Sequence, residues 1–180
     1  LSILLPLIIL LAWLTFFTDF SRKTYALISE MLSLLALEGR TAEAMPYAQA
    51  ELKNDPSSLL AALVVIVQNV KDERYTDALA VLKDFPHKKE NAFLVPLLES
   101  WVYAGMGRQE KALETLEAVN GRGTEALYVF HKALMNDMFG EESDAEENYE
   151  LLLQEPGGLS LRAAQTYGNF LLRRNDIKKF

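Results

Sequence analysis

Hydrophobic and polar positions change character once along the chain. Residues 1–17 carry no charge, and only Ser2, Pro6 and Thr15 fall outside the apolar set. From Tyr25 onward, apolar residues return every three or four positions, the spacing of a helix with one buried face. The runs 25–37, 59–70 and 126–138 predict one set of helices, and 41–53, 75–84, 109–119 and 143–153 predict a second set alternating with it. Breaks fall at Pro86, at Asn120-Gly121-Arg122-Gly123 and at Pro156-Gly157-Gly158. No strand alternation competes. The expected fold is all-α, an α-solenoid of helix-turn-helix units behind an apolar N-terminal helix.

The alternation has a period. Ala44, Ala78, Ala112 and Ala145 lie 34, 34 and 33 residues apart. Five residues before three of them stands a glycine, Gly39, Gly107 or Gly140, with Glu73 in the corresponding place of the second unit. Four residues after each alanine comes Ala48, Leu82, Leu116 or Tyr149, and Pro56 and Pro156 close the first and fourth units. A glycine there ends a helix in the left-handed conformation without a Cβ penalty. The alanine lets the next helix approach closely, and the residue one turn later fills the space between units.

On these residues the chain resembles the tetratricopeptide repeat family. That family repeats helix-turn-helix at 34 residues, with a turn glycine, a small residue in the second helix, an aromatic one turn on and a closing proline. The best match is the fourth unit, with Gly140, Ala145, Tyr149 and Pro156. The family's first-helix tryptophan is missing throughout, and Gly168 is the clearest survivor of its leucine-glycine pair. The resemblance covers residues 25–180 as repeats 25–58, 59–92, 93–125 and 126–159, plus a partial fifth, 160–180. The bacterial, membrane- or envelope-associated members are the nearest in character.

The resemblance implies a concave groove formed by the second, fifth, ninth and twelfth residues of each unit. These are Leu60, Leu63, Val67 and Val70 in the second unit, then Leu94, Leu97, Trp101 and Ala104 in the third. The fourth unit supplies Leu127, Phe130, Leu134 and Asp137. One charge among twelve positions is too apolar for a groove filled with water. The readings are a partner helix held on Leu63, Val67, Leu97, Trp101, Phe130 and Leu134, an internally filled core, or an apolar ligand such as lipid. Counted from Leu161, one residue into the fifth unit, the same offsets hold Arg162, Gln165, Asn169 and Leu172, followed by Arg173. The two arginines are expected to meet a partner's carboxylates, or else to form a solvated terminal face.

Residues 1–20 form the other region. A bilayer asks for about 20 apolar helical residues, with a lower bound near 17. Residues 1–17 meet that bound, with Leu4, Leu7 and Leu11 in the span and Trp13 and Phe16 at an interfacial end. Asp19, Arg22 and Lys23 return the chain to water. The expectation is an anchor in a bacterial inner membrane or envelope, its side undetermined. A buried or partner-covered helix and a cleaved signal peptide are the alternatives. A chain opening on Leu and ending inside its fifth unit is expected to continue at both ends.

Composition narrows the chemistry. The 180 residues include no cysteine, which removes disulfides, thiolate metal sites and a cysteine nucleophile. A net charge of -7 and a pI near 4.9 argue against a nucleic-acid partner. Eight acids and no base lie between Ala133 and Leu161, without the spacing of a calcium loop, and read as a solvated face. From Arg162 to Phe180 five bases meet one acid, so the two blocks are expected to pair. Of the two histidines, His131 is expected to pack with one nitrogen satisfied, and His87 to lie in an exposed loop. No nucleophile-base arrangement or phosphate loop occurs. The expected function is non-enzymatic: a protein-interaction scaffold or assembly adaptor with protein partners, and with no cofactor or metal. A soluble module whose apolar first helix is buried in an oligomer is the alternative.

Overall fold

The computed structural model describes residues 29–85, 92–121, 123–155, 158 and 160–174. Within them the helices are α1 (29–37), α2 (Thr41–Asn54), α3 (Leu59–Lys71), α4 (Tyr75–Asp84) and α5 (Leu94–Gly105). There follow α6 (Gln109–Leu116), α7 (Glu125–Phe139), α8 (Glu142–Gln154) and α9 (Leu161–Arg173). No strand occurs among the described residues, and helices pack on their neighbours in sequence. The fold is all-helical and compatible with a helical repeat. The chain divides into two compact units, residues 1–86 and 87–180.

Four turns are built alike. At each, the residue ending the first helix has positive φ: Gly39 at 71°, Glu73 at 58°, Gly107 at 71° and Gly140 at 79°. The next residue's N–H reaches back to the first helix, from Arg40 to Leu35 O, Arg74 to Asn69 O, Arg108 to Tyr103 O and Glu141 to Asn136 O. The positive-φ residue itself donates to Ala36, Val70, Ala104 and Asp137 in turn. This pair of bonds satisfies carbonyls that a helix end leaves orphaned. Glu73 takes the glycine's conformation at a steric cost that glycine avoids.

The alanine column is fully buried at Ala44, Ala78, Ala112 and Ala145, and the residues one turn later (Ala48, Leu82, Leu116 and Tyr149) are buried with it. In the first unit, Leu32 and Leu35 of α1 close over Ala44, Ala48, Ala61, Val64 and Val65. A polar network crosses the same packing. The Thr41 hydroxyl donates to Gln68 Oε1 at 2.8 Å, Lys71 Nζ donates to Thr41 Oγ1 at 2.9 Å, and Gln68 Nε2 donates to Asp72 Oδ1 at 2.8 Å. In the second unit, Leu97, Ala104, Ala112, Leu116, Tyr128, Val129 and Met135 form one cluster, and Ala133, Ala145, Tyr149, Tyr167, Phe170 and Leu171 form another.

One boundary departs from the spacing. The helix expected over 109–119 is α-helical only to Leu116, and its last turn, Glu117–Val119, tightens to a 3-10 helix. That tightening is a common way to end a helix. It brings Val119 into the core, and the Thr124 hydroxyl donates to the Val119 carbonyl at 2.6 Å.

Candidate functional site

The offsets proposed for the groove divide by unit. On α3 the buried residues are Ala61, Ala62, Val64, Val65, Ile66, Gln68 and Asn69. The complementary stripe of Leu60 (37% exposed), Leu63, Val67 (38%) and Val70 stays wholly or partly open. A stripe of four apolar side chains one turn apart is therefore presented by a helix whose other face is in the core.

In the second compact unit, residues 87–180, the same offsets are more covered. Leu97 is 8% exposed and belongs to the core cluster, packed with Ala104, so it is not part of a surface face. Trp101, Leu127, Phe130 and Leu134 are partly buried. The Trp101 indole N–H donates to Nδ1 of His131 at 2.9 Å, and the two rings meet edge-on with centroids 5.8 Å apart. Phe130 meets His131 edge-on at 5.5 Å. Burial, with the charge of Arg162 as the smaller cause, pulls the His131 pKa down from 6.5 to about 4, so the ring is neutral at pH 7. His131 thus holds α5 and α7 together.

The two groove arginines separate as well. Arg173 is paired with Asp137, itself a groove position, so its charge is used within the chain. Arg174 pairs with Glu146 at 2.6 Å and Glu142 at 3.4 Å. The acidic block therefore does meet the basic one. Arg162 is exposed and makes no ion pair among the described residues.

A cavity of about 260 Å³ opens beside this face, lined by Ala126, Leu127 and Phe130 of α7, Leu152 of α8, and Gly158, Ser160 and Ala163 leading into α9. Gly158 is required there, since a Cβ would fall 1.7 Å from the Leu152 carbonyl oxygen. The Ser160 hydroxyl accepts the Ala163 N–H at 3.1 Å and caps α9. In the first unit a second cavity, about 200 Å³, lies between Leu52, Pro56, Ala62, Val81, Asp84 and Phe85. The sequence reading missed both cavities. It also missed the role of Ser160, although serine directly before an apolar run is a helix-start signal.

Leu4, Leu7, Leu11, Trp13 and Phe16, and with them the membrane expectation, lie outside the described residues, as does His87. Among the described residues no helix is long and apolar enough to cross a membrane. No group of three or more histidine or acidic side chains there is placed to hold a metal ion. Comparison with known proteins finds no family model, no curated protein and no solved structure that matches this chain.

Proposed function

We propose that the chain is a tetratricopeptide-like repeat scaffold, without enzymatic activity, that holds a segment of a partner protein on the apolar face of its first helices. The observation that carries this reading is the α3 stripe, where Leu60 and Val67 stand more than a third exposed beside Leu63 and Val70. Such a face gains from being covered, at about 25 cal/mol per Å² of apolar surface removed from water. Trp101 and Phe130 present larger apolar bodies at the same offsets in the second unit. Residues 1–17 have the composition of an anchor that would hold the scaffold at a membrane.

The test is affinity purification of the full-length protein from native membranes in mild detergent, alongside Val67→Glu. The exposed position of Val67 lets a charge enter without breaking the core, so partners captured by the wild type should be lost while helicity is kept. Equal capture by both proteins would overturn the reading. Measurable turnover of a substrate by the isolated chain would do so as well.

A second reading has its own observation. Met31, Leu34 and Leu37 of α1 are exposed and spaced three residues apart. A soluble module in which residues 1–17 cover that stripe within an oligomer would also use the apolar segment. Carbonate extraction separates the two, since an anchored protein stays with the membrane and an oligomeric module is released.

A further inference from the structure

We propose that the cavity between α7 and α9 receives one large apolar side chain of a partner protein, and that Arg162 and the Nε2–H of His131 hold an Asp or Glu side chain next to it on the same partner segment. This rests on the scaffold reading and narrows it to the chemistry of the segment bound.

The size of the cavity favours a side chain over a whole small molecule. Sites for such molecules run to about 300–1,000 Å³, whereas one benzene ring fits in about 150 Å³. The 260 Å³ here, walled by Leu127, Phe130 and Ala163, therefore suits one aromatic or branched aliphatic group.

The cation is poorly placed for stability and well placed for an anion. Arg40, Arg74, Arg173 and Arg174 are each held by a carboxylate of the chain, but the Arg162 guanidinium, like that of Arg108, meets none among the described residues. It stands in the first turn of α9, where the helix field opposes a positive charge and favours a negative one. Its neighbours Ser160 and Ala163 line the cavity, and its charge is felt at His131, beside the lining residue Phe130.

His131 supplies a second donor. An indole N–H can only donate, so Nδ1 receives it as a lone pair, and the neutral ring carries its proton on Nε2. That Nε2–H has no hydrogen-bond partner among the described residues. It also reaches the surface, because the one buried side-chain polar atom there without a partner is the Tyr149 hydroxyl. The site offers one guanidinium and one ring N–H, so the match is to a single carboxylate.

The probe is a displayed library of random 15-residue peptides selected on the full chain. Enriched peptides should pair a Phe, Trp or Leu with an Asp or Glu within four residues. Arg162→Gln should weaken them about tenfold, and Arg162→Glu should enrich Lys in place of the acid. Arg162 is exposed, so both variants are expected to keep wild-type helicity, which circular dichroism checks. Enriched peptides that lack an acid, or that bind Arg162→Gln unchanged, would overturn this inference and leave the scaffold reading standing. No enrichment over the bare support would overturn both.

Discussion

The two units share one helix-turn-helix frame and finish its first-helix face in opposite ways. In the first unit the face is aliphatic and open: Leu60, Leu63, Val67 and Val70 offer area and no directed bond. In the second, Trp101, Phe130 and His131 lock together, and the Arg162 guanidinium, without an ion pair among the described residues, stands beside a cavity. Apolar area gives binding strength without direction, whereas fixed donors reject the wrong partner by leaving groups unpaired. Under the proposed scaffold reading, adhesion falls to the first unit and discrimination to the second.

The largest expected effect tests whether the open face is separate from the core. Leu116→Ala, at a fully buried position of the second unit, should cost about 2–5 kcal/mol in urea unfolding. Val67→Ala on the open stripe should stay within about 0.5 kcal/mol, with its effect read in partner capture instead. Comparable losses at both sites would erase the contrast.

Acid should reach the second unit through His131. Its folded pKa, about 4, lies below the ordinary 6.5, so the unfolded chain takes up the proton first. The contribution is therefore complete above pH 6.5, declines as the pH falls toward 4, and is flat below. At pH 4 about 1–3 kcal/mol should be missing. Urea titrations at pH 7 and 4.5 should differ less for His131→Gln than for the wild type, and amide exchange should place the difference in α5 and α7.

Turn substitutions compare the units at the backbone. Glu73→Gly should stabilise the first unit by about 1 kcal/mol, and Gly140→Ala should destabilise the second by a similar amount. Thermal melts of both variants check the pair. The smallest change is expected at the Tyr149 hydroxyl, which is buried without a hydrogen-bond partner among the described residues and whose ionisation burial opposes. Tyr149→Phe should shift stability by less than about 1 kcal/mol, upward, because it removes an unsatisfied polar group.

Much of the frame was legible along the chain because it depends on spacing. The alanine column and three of the four turns rest on one residue type at one offset, and the residues one turn beyond the alanines rest on the offset alone. Even Glu73 was marked by position to do what glycine does. The face was less legible because equivalent offsets have different surroundings. Leu63 and Leu97 occupy the same place in the repeats 59–92 and 93–125, yet one is partly open and the other lies in the core. Arg162 and Arg173 read alike in sequence, and only the nearness of Asp137 in space tells the engaged charge from the unpaired one. The Trp101–His131 bond joins residues 30 apart on different helices, which no local pattern reports.

The four turns have a consequence for how such a chain can diverge. Each is closed by main-chain N–H and C=O groups, so it asks little of the side chains around it. Substitutions can accumulate over the helix surfaces while the angle between successive helices is kept. Glu73 measures that tolerance, since a residue other than glycine takes the left-handed conformation there with the same bonding pattern. A lineage built on such joints can replace the lettering of its binding face many times over and still inherit the same hinges.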